Sequence, residues 1–447
     1  MISELGPASE DESASNGSVS EILAALQAAP HPQRAGLLAS YLRTQVGHVL
    51  YLSADAVPMT QDLMTLGLDS LMIMEVIAGV SKDLKIKLYP REVFERPTIE
   101  ALSEYIALEF DRDASAAGDA STPGDLSQPG GLRAHPNTWR KPARRIPGIV
   151  FLLSSPRSGS TLLRVMMAGH PDLFCPPELH LLPFSTMSER EQTLGATYLD
   201  EGLQRALMEL SGSDAAATRE VVCGLVERGA PIQEVYALLQ ERAGSRLLVD
   251  KSPTYAIDRE NLEHAEELFE GAKYVHLVRH PYAVIESFVR TRMDKMLGLA
   301  SQNPFFLAER IWTDTNRNTL EFSAAVGPQR SHLILYEDLV KDPRRTATDL
   351  CAFLGIPFHE ALLRPYEGRR MTEGIHAQSL PIGDPNFHNH VGIDAALGEA
   401  WKRVRAPRAL SPATVQLATE FGYELSRENS PSNAPADSFA AIEEGRL

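Results

Sequence analysis

Residues 149–164 read Ile-Val-Phe-Leu-Leu-Ser-Ser-Pro-Arg-Ser-Gly-Ser-Thr-Leu-Leu-Arg. The apolar run Ile149–Leu153 is typical of a buried strand in a parallel sheet. A turn of small and polar residues follows over 154–160, and the apolar spacing over 161–168 predicts a helix. A strand, a small-residue turn and a helix aim backbone N–H groups and the positive end of a helix dipole at one point. We therefore predict a phosphate-binding loop here.

The side chains of this turn add donors to the predicted anion site. Arg157 supplies a guanidinium group, and the hydroxyls of Ser158, Ser160 and Thr161 surround Gly159. The loop of ATP- and GTP-binding proteins reads Gly-x-x-x-x-Gly-Lys-Ser/Thr, but here its first glycine is absent and no lysine precedes Ser160. This departure disfavours a kinase with a degenerate loop, which stays an alternative, and indicates a different phosphate ligand.

The bulk composition describes a globular protein of more than one domain. The chain has 447 residues, of which 43% are hydrophobic and 23% are charged, as in ordinary globular proteins. Its net charge of −16 argues against nucleic-acid binding, so an anion site must be a local basic pocket. Three distant cysteines indicate a reducing compartment without a disulfide or metal framework. Because we find no signal peptide and no membrane-spanning run, we predict a cytoplasmic protein.

Residues 21–110 are predicted to form a small all-α bundle of four helices. Helical spacing of apolar residues recurs without any strand pattern, and Thr98 is a candidate N-cap. The helical segments are 37–50, 73–80, 90–94 and 98–110. Residues 1–20 are acidic and rich in serine, which predicts disorder.

Two motifs give this bundle a resemblance to the acyl carrier protein family. The chain reads Leu-Gly-Leu-Asp-Ser-Leu over 66–71 and Phe-Glu-Arg-Pro-Thr-Ile over 94–99, at the spacing that the family uses. The resemblance implies a 4′-phosphopantetheine arm on Ser70, attached by a phosphopantetheinyl transferase that would meet Asp69. A helix dipole favours a phosphodiester at that position, whereas the alternative role of Asp69-Ser70 is a simple helix cap.

The remainder of the chain divides into a linker and an α/β domain. Residues 111–146 are rich in Ala, Ser, Gly, Asp and Pro, which predicts a flexible linker. Over 147–428, strands alternate with helical segments, which predicts a P-loop-like parallel sheet with flanking helices. The strands are expected at Ile149–Leu153, Arg246–Val249, Lys273–Val278 and His332–Tyr336. We expect a helical cap over about 186–245 and a disordered tail over 429–447.

A second phosphate motif follows the predicted strand Lys273–Val278. Arg279 lies at the strand end, and Ser287 lies two turns into the next helix, so the two can grip one phosphate. Together with the 154–161 loop, this pair resembles the sulfotransferases that use 3′-phosphoadenosine 5′-phosphosulfate (PAPS). The resemblance implies that the loop residues Arg157, Ser158, Gly159, Ser160 and Thr161 bind the 5′-phosphosulfate. It also implies that Arg279 and Ser287 bind the 3′-phosphate.

Sulfuryl transfer also needs a base for the acceptor hydroxyl and a cation near the sulfonate, to which Arg157 would contribute. The resemblance to tyrosylprotein sulfotransferases implies that Glu178 is the base, and His180 is the alternative because other branches use histidine. Lys251, after the strand Arg246–Val249, resembles the lysine that the family places near the sulfonate. Tyr336 resembles a residue beside the nucleotide, although it could equally belong to the core.

The two resemblances together predict a carrier protein joined to a sulfotransferase. The expected reaction moves a sulfonate from PAPS to a hydroxyl of an acyl chain that is carried as a phosphopantetheine thioester. The expected hydroxyl is the one on the β-carbon. This arrangement resembles the sulfotransferase domains of polyketide and olefin synthases, so upstream polyketide or fatty-acid synthase modules are expected partners. Because no thioesterase pattern is found among the 447 residues, we expect alkene formation to need a separate thioesterase. The alternatives are a free small-molecule acceptor and an inactive carrier and docking protein.

Overall fold

The computed structural model describes residues 22–50, 52–68, 70–84, 88, 93, 96–116, 139, 142–195, 198–291, 293, 303–368, 370 and 392–425. The chain forms two compact units. The first comprises Met1–Pro123 with Gly195–Tyr198, and the second comprises Gly124–Leu194 with Leu199–Leu447. The predicted disorder of 1–20 and 429–447 concerns residues outside the described ranges.

The first unit is helical where it is described, as predicted. Its helices are α1 (His31–Leu50), α2 (Ser70–Leu84) and α3 (Ile99–Ala116), and residues 22–28 are helical as well. Their apolar faces meet in one core that includes Leu42, Val76 and Leu102. Thr98 caps α3, because its Oγ1 accepts a hydrogen bond from the Ala101 N–H at 3.2 Å. The predicted helix over 90–94 lies outside the described residues except for Val93.

The second unit is built on a parallel sheet. Five strands pair side by side in the order β3-β4-β2-β6-β7, and β1 pairs with β5 separately. The strands are β1 (Ile146–Pro147), β2 (Val150–Leu153), β3 (Leu173–Phe174), β4 (Leu247–Asp250), β5 (Phe269–Glu270), β6 (Lys273–Val278) and β7 (Ser331–Leu335). The four predicted strands are β2, β4, β6 and β7, each within one residue at both ends.

The central strand β2 is apolar throughout because both of its faces are covered. Side chains alternate along a strand, so Phe151 and Leu153 enter one apolar core and Val150 and Leu152 enter another. The helices of this unit flank the sheet, which confirms the predicted fold class. They are α4 (Ser160–Met167), α5 (Met187–Leu194), α6 (Glu201–Ser211), α7 (Ala215–Glu227), α8 (Ile232–Ala243), α9 (Arg259–Leu268), α10 (Pro281–Arg290), α11 (Pro304–Val326), α12 (Tyr336–Lys341), α13 (Pro343–Leu354) and α14 (Pro412–Glu420).

Helices α5 to α8 occupy most of the segment 186–245. Apolar residues of α6 and α8, such as Leu203 and Leu239, pack into the core that contains Phe151. Glycine at position 202 lets α6 lie directly against the backbone of Glu178, since a Cβ there would come within 1.9 Å of the Glu178 carbonyl oxygen. This segment therefore contacts the stretch that carries the predicted base.

Candidate active site

The predicted phosphate loop connects β2 to α4 and has an unusual backbone. Gly159, the N-cap of α4, has φ 89°, and Arg157 has φ 69° although it is not a glycine. A Cβ on Gly159 would come within 2.4 Å of the Tyr336 ring, so the ring packs directly on the loop backbone. The hydroxyls of Ser155 and Ser158 are 2.8 Å apart. Glycine is thus required at 159 by both conformation and contact.

The two predicted phosphate motifs meet in space. Arg157 Nε donates a hydrogen bond to Ser287 Oγ at 3.0 Å, and Arg279 Nη1 donates to the Arg157 carbonyl oxygen at 3.2 Å. The Arg279 guanidinium also lies 4.3 Å from the centre of the Tyr336 ring. Its Nε is buried and has no hydrogen-bond partner among the described residues. Buried donors are normally satisfied, so this arrangement fits an anionic ligand.

A buried carboxylate holds His280, the residue that follows Arg279. Glu337, the second residue of α12, accepts hydrogen bonds from the His280 N–H at 3.0 Å and the Tyr423 hydroxyl at 2.7 Å. Burial raises the pKa of Glu337, and these two donors oppose that rise. The His280 ring stacks on Trp401 with centroids 4.0 Å apart. The start of α10 is therefore tied to α12 and to the C-terminal segment.

A cavity of about 430 Å³ adjoins Ser287 on the side of α10. Apolar groups such as Phe305 and Ile285 form part of its wall. Its charged lining consists of four arginines and one glutamate: Arg279, Arg290, Arg403, Arg405 and Glu286. The cavity is thus locally basic within a protein whose net charge is −16.

The second predicted cluster centres on Glu178. Its Oε1 forms an ion pair with Lys251 Nζ, and its Oε2 lies 3.1 Å from His180 Nε2. The side chains of Lys251 and His180 are each 1% exposed, whereas that of Glu178 is 24% exposed. Burial alone would raise the pKa of Glu178, but Lys251 and His180 outweigh it and lower the pKa to about 2. Glu178 is therefore the accessible, ionised member of a buried charged cluster.

His180 has a left-handed backbone with φ 47°. Its N–H donates to Ser252 Oγ at 3.2 Å, and its ring Nδ1 lies 3.3 Å from Thr254 Oγ1. The fully buried Arg190 of α5 donates to the carbonyl oxygens of Leu179 at 3.0 Å and of His180 at 3.1 Å. Both ring nitrogens of His180 are thus engaged by protein groups.

Sequence reasoning missed Arg190, Ser252 and Thr254. Ser252 follows Lys251 directly and Thr254 lies three residues after it, so their place after a strand end is the signal that could have found them. Arg190 is a buried arginine on a predicted helix, which the sequence does not distinguish from a surface arginine.

Ser70 is the first residue of α2, so the predicted attachment residue begins a helix. Asp69 lies outside the described residues. Among the described residues, no group of three or more His, Cys, Asp or Glu side chains is arranged to hold a metal ion. No helix in the described ranges is long and apolar enough to cross a membrane.

Two sequence families match this chain. The profile of the sulfotransferase family matches residues 147–360. The profile of the phosphopantetheine attachment site matches residues 40–106. The first range contains the loop after β2 and the Glu178 cluster, and the second contains Ser70.

Two solved structures are similar to this chain. The sulfotransferase domain of the olefin synthase from Synechococcus PCC 7002 is 52% identical with a TM-score of 0.60, and the match covers 65% of this chain and 100% of that domain. The sulfotransferase domain from the curacin biosynthetic pathway is 53% identical with a TM-score of 0.61, and the match covers 63% of this chain and 100% of that domain.

Curated relatives are more distant. The nodulation protein NoeE of Sinorhizobium fredii is 26% identical over 321 residues, which cover 67% of this chain and 71% of NoeE. The protein-tyrosine sulfotransferase of Drosophila melanogaster is 25% identical over 252 residues, which cover 56% of this chain. This chain spans 46% of the length of the Drosophila protein.

Proposed function

The chain belongs to the sulfotransferase family and joins such an enzyme to a phosphopantetheine carrier, and from this we propose that it sulfates a carrier-bound acyl chain. The donor is PAPS, and the acceptor is the β-hydroxyl of an acyl group held as a thioester on the phosphopantetheine of Ser70. The observation that carries this proposal is the meeting of Arg157, Arg279 and Ser287 beside one loop.

The donor assignment rests on the placement of positive charge. The α4 N-terminus and the backbone of the 154–159 loop offer N–H donors for a 5′-phosphosulfate. Arg279, with its unsatisfied Nε, and Ser287 offer donors for a 3′-phosphate. The cavity beside Ser287 adds the positive charge of its arginines near this proposed 3′-phosphate position.

Glu178 is the proposed base because it is the accessible member of its cluster. His180 is 1% exposed and has both ring nitrogens engaged, so it would act on an acceptor hydroxyl only through Glu178. In the transfer, the acceptor oxygen bonds to sulfur while the bond from sulfur to the bridging phosphate oxygen breaks. The hydroxyl proton passes to Glu178, and the products are a sulfate ester and 3′-phosphoadenosine 5′-phosphate.

Lys251 connects the donor site to this base. Its ammonium neutralises Glu178 in the structure, and a carboxylate with a pKa of about 2 is a weak base at neutral pH. We expect Lys251 to turn toward the developing negative charge on the bridging oxygen when the donor is present. Glu178 then loses its strongest positive neighbour, its pKa rises, and it becomes a better proton acceptor.

The carrier unit supports an acceptor that arrives on a tether. Fusion of the two units raises the effective concentration of the acyl arm at the enzyme. The similar solved structures are named as domains of an olefin synthase and of the curacin pathway, which supports synthase modules as the source of the acyl chain. The three cysteines are free, which fits the proposed cytoplasmic location.

Intact-protein mass spectrometry tests the function directly. A phosphopantetheinyl transferase would load Ser70 with a β-hydroxyacyl arm, and addition of PAPS should then increase the mass by one SO3. Glu178→Gln should slow the gain by about 10²–10⁴-fold, and Ser70→Ala, which cannot be loaded, should show none. An unchanged mass for the loaded wild-type protein, with PAPS present in excess, would reject the proposal.

The second candidate is a sulfotransferase for a free small-molecule hydroxyl. The 25% identity to a protein-tyrosine sulfotransferase favours an acceptor that is not bound to a carrier, since that name describes a tyrosine of a protein. The free β-hydroxy acid should be sulfated much more slowly than its carrier thioester under our proposal. Equal rates would support this second candidate.

A further inference from the structure

Asp250 is a buried carboxylate for which the proposed reaction has no direct use. It is the last residue of β4 and is 0% exposed. Its Oδ2 accepts hydrogen bonds from the hydroxyls of Tyr236 at 2.6 Å and Tyr255 at 2.8 Å, and its Oδ1 accepts from Ser252 at 3.0 Å. Burial raises the pKa of Asp250, and the three hydroxyls oppose that rise. A carboxylate buried among neutral donors is costly, so its presence needs a reason.

Two of these hydroxyls, those of Ser252 and Tyr255, also accept hydrogen bonds from the backbone near His180. A hydroxyl has one proton, and a Ser or Tyr that donates it to Asp250 leaves its oxygen lone pairs for other donors. Ser252 Oγ accepts the His180 N–H at 3.2 Å, and the Tyr255 hydroxyl oxygen accepts the Leu181 N–H at 2.9 Å. These two N–H groups lie on either side of the His180 Cα and so fix its φ and ψ.

That backbone conformation is an unfavourable one. His180 has φ 47°, and the left-handed region costs a residue with a Cβ about 1–2 kcal/mol. In this conformation the ring of His180 reaches Glu178 through Nε2 at 3.1 Å. This conformation therefore needs support from neighbouring groups. The hydroxyls of Ser252 and Tyr255 provide it by accepting hydrogen bonds from the backbone N–H groups of His180 and Leu181.

We infer that Asp250 is a positioning residue: by accepting hydrogen bonds from the hydroxyls of Ser252 and Tyr255, it directs both oxygens to the backbone around His180 and so sets the His180–Glu178 contact. The catalytic part of this inference rests on the proposed function, in which Glu178 is the base. Arg190 holds the carbonyl groups of Leu179 and His180 independently, so loss of the Asp250 network should shift this segment rather than unfold it.

The fold offers a matched pair of variants. Tyr236 and Tyr255 are both 0% exposed, and each donates its hydroxyl to Asp250 Oδ2. The Tyr255 oxygen alone of the two accepts hydrogen bonds from the 181–182 backbone. The Tyr236 hydroxyl also lies 3.3 Å from the Tyr255 hydroxyl, but Tyr236→Phe removes the same group from the same carboxylate and takes no hydrogen-bond acceptor away from the 181–182 backbone. A general effect of weakening the Asp250 hydrogen bonds should appear in both variants. An effect on the position of His180 should appear in Tyr255→Phe alone.

Hydrogen–deuterium exchange of the full-length protein tests the positioning without any assumption about the reaction. Peptides that contain the amides of His180 and Leu181 should exchange faster in Tyr255→Phe and in Asp250→Asn than in the wild type. The same peptides should be unchanged in Tyr236→Phe. Equal exchange in the two tyrosine variants would overturn the inference, even if Asp250→Asn fails to fold.

Kinetics with the loaded protein then test the effect on chemistry. Misplacement of a catalytic group by about 1 Å costs about 10²-fold, so kcat should fall by about that factor in Tyr255→Phe, with the KM for PAPS little changed. In a His180→Ala background, Tyr255→Phe should have no further effect on kcat. Ser252→Thr should retain activity that Ser252→Ala loses.

The outcomes separate the two proposals. A wild-type protein that transfers no sulfonate would reject the proposed function, and the exchange comparison would still decide the role of Asp250. A Tyr255→Phe penalty that persists undiminished without the His180 ring would overturn positioning through His180, because the hydroxyl would then act by another route.

Discussion

The ion pair between Glu178 and Lys251 makes a sharp prediction about stability. Glu178→Gln keeps the shape of the side chain but leaves the Lys251 ammonium, which is 1% exposed, without a counter-charge. The pKa of Glu178 falls from 4.5 to about 2 in the folded protein, which at about 1.4 kcal/mol per tenfold change in proton affinity corresponds to about 3 kcal/mol. Removing one partner of a buried ion pair lowers the free energy of unfolding by a similar amount, about 3–5 kcal/mol.

Tryptophan fluorescence during urea unfolding provides the assay. Trp139, Trp312 and Trp401 are the three tryptophans of the chain and all belong to the second unit, so the signal reports this unit alone. We expect Glu178→Gln to lower its free energy of unfolding by about 3 kcal/mol. Addition of Lys251→Met should recover most of that loss, because it removes the stranded charge, although activity stays low.

The dependence on pH follows from the direction of the pKa change. Because the pKa of Glu178 is lower in the folded than in the unfolded chain, the pair contributes its full stability above pH 4.5 and loses it as the pH falls toward about 2. The gap between wild type and Glu178→Gln should therefore be largest near neutral pH and close in acid.

An exposed pair supplies the control for this experiment. Arg228 and Glu234 form an ion pair with side chains 51% and 47% exposed, and Glu234→Gln should leave the urea midpoint unchanged. Equal midpoints for Glu178→Gln and wild type at neutral pH would refute the reasoning. So would a Glu178→Gln/Lys251→Met variant that is no more stable than Glu178→Gln.

Three further predictions concern the loop, the donor site and the carrier. Gly159→Ala should raise the dissociation constant of 3′-phosphoadenosine 5′-phosphate, measured by calorimetry, by about tenfold. The reason is that an alanine in the left-handed region costs about 1–2 kcal/mol and that its Cβ overlaps the Tyr336 ring. Unchanged binding would show that the loop relaxes freely. Ser287→Ala removes the acceptor of Arg157 Nε and should raise the KM for PAPS about fivefold, with kcat little changed; a loss in kcat alone would contradict this role. Thr98→Ala removes the N-cap of α3 and should lower the stability of the first unit by about 1 kcal/mol, seen by circular dichroism with the tryptophan transition unmoved; a shifted tryptophan transition would contradict this account.

The four longer strands could be predicted from the sequence because apolar residues predominate in each of them. The strand Lys273–Val278 begins and ends where the pattern predicts, since apolar residues make up most of it and Arg279 follows it. The two-residue strands Leu173–Phe174 and Phe269–Glu270 could not be predicted. Two residues have no periodicity, and their pairing depends on where neighbouring strands happen to lie.

The site could be predicted in part for a similar reason. Arg157, Arg279 and Ser287 lie in motifs with fixed spacing next to strand ends, and the sheet brings strand ends together. The groups that hold the His180 backbone do not belong to any sequence motif of this kind. Its left-handed backbone is carried by a histidine rather than a glycine, and the groups that impose it, Arg190 and Asp250, come from separate elements. Their burial arises from tertiary packing, which a local pattern does not encode.

The lysine that is absent from the predicted phosphate loop has a counterpart, Lys251, directly after the neighbouring strand β4. Strands β2 and β4 pair in parallel, with Phe151 opposite Asp250, so Lys251 leaves the sheet at the same edge as the 154–159 loop. A lysine within the loop would be committed to the phosphates of the ligand. A lysine that enters from the next strand can contact both the loop region and Glu178, and its ion pair with Glu178 is present in the structure. Under the proposed function, this placement links the charge that stabilises the leaving group to the group that removes the acceptor proton.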